Sequence, residues 1–371
     1  MGSKIMLKAK FRNRLKLFTA CLLVVMPIDV LANDITIPCD SSYVSLDGFQ
    51  LAVRSTGSDD TDNIQCALNT AADNDISKIQ LLDRSYSVGA LEITSFKGVL
   101  SGVSKARTTL DIDDYSVDCA AMEESGKHAA AIKFVEGSPR VQNMTITGGF
   151  FCEDLPAAPP YLLHFSGTAT GTEECSNDVI FGAVDRVTLT SFDDLTSGVL
   201  AAGEASWLGG CKETLSGTLK VNRSEFRGFF TAVDTSMRAG SQVDINFNDF
   251  SENVVHLRFA NTNQSTYVVN NEFYSVSSPE LPAIGIFIFT SSESAPTNSK
   301  FFISNNTFDT EAPYGGSYSI LLDQADFGSA IKPVITSNTF RLQQSGGSAL
   351  GIAESGFNGG TISGNRFRGD A

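Results

Sequence analysis

KVNRSEF (220–226), INFNDF (245–250) and VVNNEF (268–273) are three versions of one short phrase that decides the fold of this 371-residue chain. The phrase returns as ISNNTF (303–308), ITSNTF (335–340) and ISGNRF (362–367), so that it recurs every 23 to 35 residues. Each copy ends in phenylalanine and carries an aliphatic residue five positions earlier. Recurrence at this period is typical of solenoids, in which each unit buries its apolar edge only by stacking on its neighbours.

The residue types of the phrase predict strand, turn and strand, because β-branched and aromatic residues enclose turn-forming ones. Without an intervening helix, such a unit predicts an all-β fold, a right-handed parallel β-helix. Asparagine should occupy the turn, where it tolerates positive φ, and stacked amides should form a ladder. The predicted ladder comprises Ser224, Asn248, Asn271, Asn306, Asn338 and Asn365. The predicted internal aromatic column comprises Phe226, Phe250, Phe273, Phe308, Phe340 and Phe367.

The chain divides into three segments. Residues 1–32 have a basic start, an apolar run (17–26) and small residues around Ala32, which together predict a cleaved signal peptide. Residues 33–58 read as a polar lead-in, and 59–371 as one β-helix domain. The apolar run is too short to span a bilayer. We therefore expect a secreted or periplasmic protein with no membrane association after cleavage.

The net negative charge of the chain limits which molecules it can bind. The full chain has 27 basic and 42 acidic residues. Removal of residues 1–32 leaves 21 basic against 41 acidic residues, a net charge of −20. Such a surface excludes nucleic acid as a partner and disfavours a polyanionic polysaccharide unless cations or a local basic patch intervene.

Six cysteines remain after processing, and an even number in an exported chain predicts disulfides of unknown pairing. They are Cys39, Cys66, Cys119, Cys152, Cys175 and Cys211. No pair has the spacing of a zinc site, so no metal site is predicted. The sequence identifies no cofactor; binding of Ca²⁺ is left open, although no calcium motif is present.

The segment DDTDNIQCALNTAADND (59–75) predicts an amphipathic helix that caps the open end of the solenoid, with N-cap chemistry from Asp59, Asp60 and Thr61. IQL (79–81), YSV (86–88) and a glycine-punctuated strand ending in TTL (108–110) follow. With the repeated phrases, this order resembles the pectin-lyase-like superfamily over about residues 59–367. The resemblance implies a right-handed parallel β-helix but selects no activity, because that superfamily contains both enzymes and adhesins.

Strand alternation proposes an outward-facing site on one sheet. It places Lys133, His164, His256 and Arg258 outside, with Asp234 one coil below Arg258 and Asp323 two coils above. The candidate catalytic residues are His256, Arg258, Asp234 and Asp323, which would neutralise a sugar carboxylate and abstract a proton, or support acid/base hydrolysis. The alternative is a set of exposed salt bridges on a solvated sheet. Candidate substrate-binding residues are Lys133, His164, Trp207 and Glu354.

Two functions follow. The first is a polysaccharide lyase or glycoside hydrolase that acts on an extracellular polysaccharide in a groove over one parallel sheet. The alternative is a non-catalytic carbohydrate-binding or surface-structural solenoid, like an adhesin or tailspike. The motifs of polygalacturonases, pectate lyases and alginate epimerases are absent, so the resemblance transfers no catalytic residue. No C-terminal capping helix follows the last phrase, which leaves oligomerisation through an uncapped last coil as an expectation.

Overall fold

The computed structural model describes residues 37–112, 130–149, 160–167, 179–191, 196–202, 215–237, 240–260, 264–290, 300–324, 332–355 and 359–369. Within these ranges the chain forms one helix, α1 (Thr61–Asp73), and 29 strands, numbered along the chain. None of the helical structure in this part of the chain is long and apolar enough to cross a membrane.

The first nine strands are β1 (Val44–Asp47), β2 (Gln50–Val53), β3 (Lys78–Leu81), β4 (Ser85–Ser87), β5 (Leu91–Thr94), β6 (Val99–Ser101), β7 (Thr109–Ile112), β8 (Ala130–Val135) and β9 (Arg140–Gly148). The next ten are β10 (Tyr161–Ser166), β11 (Val179–Ser191), β12 (Ser197–Ala202), β13 (Ser216–Asn222), β14 (Glu225–Arg227), β15 (Thr231–Ser236), β16 (Gln242–Asn246), β17 (Asp249–Ser251), β18 (Val255–Ala260) and β19 (Ser265–Val269). The last ten are β20 (Glu272–Val276), β21 (Ala283–Thr290), β22 (Phe301–Ser304), β23 (Thr307–Ala312), β24 (Gly316–Gln324), β25 (Val334–Thr336), β26 (Thr339–Gln344), β27 (Ser348–Ser355), β28 (Thr361–Ser363) and β29 (Arg366–Gly369).

The strands stack in three parallel ladders. The first ladder is a separate nine-stranded sheet in the order β5-β8-β10-β12-β15-β18-β21-β24-β27. The second runs β2-β3-β6-β9-β11-β13-β16-β19-β22-β25-β28, and the third runs β4-β7-β9-β11-β14-β17-β20-β23-β26-β29. The long strands β9 and β11 belong to both the second and the third ladder. Each coil therefore passes through the second, third and first ladders in turn, which is a right-handed parallel β-helix as predicted.

The predicted aromatic column lies inside the coils from Phe226 to Phe340, whereas Phe367 in the last described coil is 53% exposed. Consecutive phenyl rings from Phe226 to Phe367 stack with centroids 4.7 to 5.0 Å apart. Their interplanar angles are 6 to 12°, so the rings are nearly parallel, one per coil. Because adjacent parallel strands are about 4.8 Å apart, this spacing means that each ring lies over the ring of the previous coil.

The predicted asparagine ladder runs beside this column. The side-chain Oδ1 of Asn271 accepts bonds from the backbone N–H and Nδ2 of Asn248, both at 2.9 Å. Asn306 and Asn338 repeat this pattern on the next two coils, and Asn365 ends it. One detail of the prediction is wrong. The residue with positive φ is the one before the ladder residue, as at Phe247 and Asn270, and the ladder asparagine itself does not have positive φ.

The amino-terminal end is closed by α1 and a hairpin. The helix buries Ile64, Ala67, Leu68 and Ala71, as its periodicity predicts. Its N-cap residue makes no side-chain capping bond. Instead the fully buried Asp60 accepts bonds from Thr56 N and Ser55 Oγ, at 2.6 and 2.9 Å. The segment expected to be a polar lead-in contains the antiparallel strands β1 and β2, and β2 joins β3 in the second ladder.

Candidate functional site

The structure brings two of the predicted catalytic residues together on the outer face of the first ladder. Asp234 in β15 lies beside Arg258 in β18 in the parallel register. The Arg258 guanidinium donates from Nε and Nη2 to Asp234 Oδ2, and Tyr161 donates its hydroxyl to the same oxygen at 2.9 Å. The Asp234 side chain is only 3% exposed. Its carboxylate raises the pKa of Arg258, and burial, followed by this carboxylate, raises the pKa of Tyr161. Asp234 is thus occupied in positioning a permanent cation.

His256 is not part of this outward group, and its predicted exposure is wrong. It is fully buried between the rings of Phe250 and Phe273, with centroids 6.0 and 5.8 Å away. Its Nδ1 accepts from Asn253 Nδ2 at 2.9 Å, so its Nε2 carries the proton that faces Ser275 Oγ, also at 2.9 Å. Burial lowers its pKa to about 3, so the imidazole is neutral.

The cause is a break in strand alternation. Val255 is in register with Ile284, and Leu257 is in register with Ile286. His256, which lies between Val255 and Leu257, has no register partner in β21. His256 and Leu257, although adjacent, are both fully buried. Strict alternation would have placed one of them outside. The first residues of β18 therefore turn into the interior, and the alternating register holds only from Leu257 onward.

His164 lies in the predicted row but is not exposed. Lys133, His164, Leu200 and Asp234 follow one another in register on four coils. His164 is fully buried, and burial, aided by the charge of Lys133, lowers its pKa to about 3. Its Nε2 lies 3.1 Å from the carbonyl oxygen of Ala202. The prediction of an exposed His164 is wrong because this part of the outer face is itself enclosed. Tyr161, Leu200 and Ala202 form a buried apolar cluster there, against which Ala130 packs.

The remaining predicted site residues are dispersed. Lys133 Nζ lies 3.7 Å from Glu92 Oε2, three coils from Asp234. Asp323 lies two coils above β18 as predicted, but its column contains Ala260 and not Arg258. Strand spacing and rise per residue put the Cα atoms of Asp323 and Arg258 about 12 Å apart. Glu354 in β27 is exposed and in register with Leu322.

The described part of the chain contains one disulfide bond. Cys39 and Cys66 form a disulfide with Cα atoms 5.7 Å apart, which joins the amino-terminal segment to α1. The predicted disulfide cysteines Cys119, Cys152, Cys175 and Cys211, and the predicted sugar-binding Trp207, lie outside the described residues.

A cleft that sequence reasoning missed lies on the outer face of the third ladder; we call it the third-ladder cleft. It spans β17, β20, β23 and β26. Its lining residues are Asp249, Phe250, Ser251, Glu272, Phe273, Tyr274, Thr307, Asp309 and Arg341. The signal was within the repeated phrase, because the residues on either side of an inward phenylalanine must point outward.

A row of carboxylates contributes Asp249 and Glu272 to one wall of this cleft, and Glu225 continues the row one coil before the cleft. Glu225, Asp249 and Glu272 directly precede their phenylalanines and are in register on three successive coils. Partial burial, and then the charges of Glu272 and Glu225, raise the pKa of Asp249, while Lys105 opposes this effect. Lys105 forms an ion pair with Glu225.

The opposite wall carries aromatic and basic groups. Tyr274 is 39% exposed and its hydroxyl lies 3.3 Å from Glu311 Oε1. Burial, and then the charge of Glu311, raise the pKa of Tyr274, so the phenol is neutral. Arg341 Nη1 lies 3.6 Å from Asp309 Oδ2. The cleft thus combines hydrogen-bond donors, acceptors and one aromatic ring. The described residues contain no group of three or more His, Cys, Asp or Glu that could hold a metal ion.

Comparison with known proteins adds two similarities of overall structure. The chain resembles the A-module of the mannuronan C-5 epimerase AlgE6 from Azotobacter vinelandii, with a TM-score of 0.41, 12% identity, and coverage of 84% of this chain and 96% of that one. It also resembles the Streptococcus pneumoniae surface protein and adhesin PfbA, with a TM-score of 0.40, 12% identity, and coverage of 85% and 97%. No protein-family model matches the chain, and no curated protein matches it.

The three parallel ladders, the stacked interior columns and the amino-terminal helix define the class of this protein. It is a right-handed parallel β-helix.

Proposed function

We propose that this chain is an exported saccharide-binding β-helix that holds a carbohydrate in the third-ladder cleft. The lining of that cleft carries the proposal. Asp309 and Glu272 offer acceptors for sugar hydroxyls, Arg341 offers donors, and Tyr274 presents a partly exposed ring against which a sugar face packs. All these groups stand on strands that are fixed by neighbours on both sides, so a ligand would bind a preformed surface.

Export is supported by one prediction from the sequence and one observation in the structure. The predicted signal peptide, residues 1–32, precedes the domain and lies outside the described residues. The disulfide between Cys39 and Cys66 is of a kind that persists in oxidising compartments.

Non-catalytic binding is the form of this proposal that the geometry favours. The catalytic centre predicted on the first ladder depended on His256, which is a neutral histidine of the core. Asp234, its predicted carboxylate partner, is buried and bonded to Arg258 and Tyr161. Neither group is exposed to a ligand in solvent. The carboxylate row of the third-ladder cleft repels polyanions, so we expect a neutral glycan there.

Glycoside hydrolysis is a second candidate, and the raised pKa of Asp249 favours it. Asp249 would donate its proton to the glycosidic oxygen while the bond from that oxygen to the anomeric carbon breaks and Glu272 attacks that carbon. Water, deprotonated by Asp249, would then hydrolyse the ester to Glu272 and release the sugar. These residues are in register on adjacent strands. Their backbones are thus about 4.8 Å apart, and the carboxyl groups of retaining glycosidases are separated by about 5–5.5 Å.

The test is a glycan array followed by calorimetric titration of the strongest neutral ligand. In Tyr274→Ala we expect Kd to rise about tenfold, because loss of a stacking ring removes about 1–1.5 kcal/mol. Tyr267→Ala is the matched control. Tyr267 is also a half-buried, outward tyrosine, but it stacks on Phe302 on the second ladder. Equal affinities of wild type and Tyr274→Ala for every ligand would reject the cleft as the site.

Hydrolysis is tested on the same ligands through release of reducing ends. Activity that is present in the wild type and lost in Asp249→Asn, with binding retained, would establish the second candidate. Unsaturated products that absorb in the ultraviolet would instead indicate a lyase. Binding without either product would leave non-catalytic recognition.

A further inference from the structure

One corner of the solenoid, between the second and third ladders, has a left-handed residue in every described coil from β9 onward. The column contains Asn143, Arg186, Arg223, Phe247, Asn270, Asn305, Ser337 and Gly364, with φ between 52 and 63°. Register pairs on both sides of the corner show that these residues are equivalent. From Arg223 to Ser337, each donates its backbone N–H to a carbonyl of the next coil at 3.2 to 3.3 Å. The fold therefore requires this conformation at the corner, whatever the side chain is.

The residue types of this column are uneven. Glycine and asparagine tolerate positive φ, whereas long or bulky side chains are strained there. Most coils follow this rule with asparagine, serine or glycine. The three exceptions, Arg186, Arg223 and Phe247, occupy consecutive coils. Strained residues that are grouped in one patch, when less strained ones serve the same turn elsewhere, indicate selection for their side chains.

The two arginines are held in place by one carboxylate. Arg223 donates from Nε and Nη2 to Asp185 Oδ1 at 3.0 and 2.7 Å. Arg186 Nη2 lies 3.1 Å from Asp185 Oδ2. The Asp185 side chain is 9% exposed, whereas those of Arg186 and Arg223 are 49% and 58% exposed. Each guanidinium has five N–H donors, so most of the ten are not used in the contacts with Asp185.

This corner is a basic and aromatic patch on an acidic protein. Two arginines and one aspartate give it a local charge of +1, on a chain whose net charge is −15. Phe247, one coil further, is 61% exposed. Corner residues on adjacent coils are about 4.8 Å apart, so the backbone of Phe247 lies directly beside that of Arg223.

We propose that this patch, the corner ridge of Arg186, Arg223 and Phe247, binds the acidic sugar residue of a saccharide. The guanidinium groups would hold its carboxylate or sulfate through paired N–H donors, and the phenyl ring would pack against the sugar ring. A highly charged polymer such as nucleic acid fits poorly, because the acidic surface around the ridge repels it. The proposal does not depend on ligand binding in the third-ladder cleft, although Phe247 lies only two residues before Asp249 of that cleft.

The test exploits the asparagines that the same corner uses in other coils. Arg186→Asn and Phe247→Asn should both relieve backbone strain, and Arg223 still pairs with Asp185 in the first variant. We expect their melting temperatures to be equal to or above that of the wild type. Titration with a uronic-acid oligosaccharide and a sulfated oligosaccharide should show Kd raised about tenfold in each variant, as expected for loss of a charged or stacking contact. The stronger of the two probes identifies the acidic group.

Arg227→Asn is the matched control. Arg227 is 60% exposed and donates from Nε and Nη2 to Glu252 at 2.6 and 2.7 Å, but it lies in a strand of the third ladder. This variant removes the same charge and should leave Kd unchanged. A neutral glucose oligosaccharide and a single-stranded DNA oligonucleotide should not compete for the ridge.

Three outcomes would overturn the proposal. The first is that neither acidic probe binds the wild type. The second is that Arg186→Asn lowers the melting temperature while binding persists, which would make the arginines structural ties between coils. The third is that Arg227→Asn weakens binding as much as Arg186→Asn, which would reduce the effect to overall charge.

Discussion

Truncation of one ladder residue, Asn306→Ala, should destabilise the solenoid more than most single substitutions would. Asn306 Oδ1 accepts from the backbone N–H and Nδ2 of Asn271, at 2.9 and 3.0 Å. Asn306 Nδ2 donates to the carbonyl oxygen of Val268 and to Asn338 Oδ1, also at 2.9 and 3.0 Å. All four bonds are buried, so water cannot replace the lost amide.

The magnitude follows from the groups that lose a partner. Alanine leaves the backbone N–H of Asn271, one of its Nδ2 hydrogens and the carbonyl of Val268 without these bonds, whereas Asn338 Oδ1 keeps the backbone N–H of Asn306. An unsatisfied buried polar group costs about 1–3 kcal/mol. Three of them, partly relieved by local adjustment, predict a loss of about 3–6 kcal/mol from a total free energy of unfolding of about 5–15 kcal/mol.

The assay is equilibrium unfolding in urea, followed by far-ultraviolet circular dichroism. Hydrogen exchange should also show that the amide of Asn271 loses its protection, because it loses its acceptor. Asn305→Ala is the matched control. Asn305 is exposed, has φ +56° and makes no side-chain hydrogen bond within the described part of the chain, so alanine should cost only about 1–2 kcal/mol of left-handed strain. If Asn306→Ala costs no more than Asn305→Ala, the ladder does not stabilise the coils as argued.

Three further substitutions test the interior and the first ladder. Burial lowers the pKa of His256 to about 3, below its ordinary value of 6.5. As the pH falls, the imidazole therefore takes up a proton in the unfolded chain before it does so in the folded protein. The free energy of unfolding should consequently fall as the pH drops from 6.5 towards 3. The slope, up to about 1.4 kcal/mol per pH unit for each such histidine, should be smaller in His256→Gln when urea unfolding is repeated at several pH values; an unchanged slope would contradict the assignment. Arg258→Ala leaves the buried Asp234 without its cation and should cost about 3–5 kcal/mol by the same assay, against about 0.5 kcal/mol for Asp323→Ala; similar losses would mean that the ion pair is not buried as described. Cys39→Ser opens a disulfide that spans 27 residues, and the predicted loss of about 3–4 kcal/mol should vanish when both proteins are compared under reducing conditions.

The fold was accessible from the sequence because the repeated phrase reports contacts between coils. A phenylalanine that returns in the same position of each copy predicts stacking on its equivalents in the coils before and after it. The phrase also fixed the ladder, but not which of its two central residues turns left-handed. Asn270-Asn271 and Asn305-Asn306 offer asparagine at both positions, so these copies cannot distinguish them.

The candidate site was harder to predict because it depends on register within a strand and on neighbours far away in sequence. Asp234 and Arg258 were placed correctly beside each other, since their coils stack in register. His256 was misplaced because alternation fails at the start of β18. His164 was misplaced because enclosure of the outer face around Tyr161 depends on residues from several coils, and no local pattern reports it.

The stacked columns also decide which changes in length the strands can accept, whereas the loops between the strands vary, so that circuits comprise 23 to 35 residues. Residues 248–270 form one complete circuit, and the next circuit begins again with asparagine at 271. Excision of those 23 residues would join Phe247 to Asn271 and bring Phe273 above Phe226, so that every column would close over the gap. A deletion of ten residues would instead move side chains of one column into the space of another. Insertions and deletions within the stacked strands of this molecule should therefore comprise whole circuits.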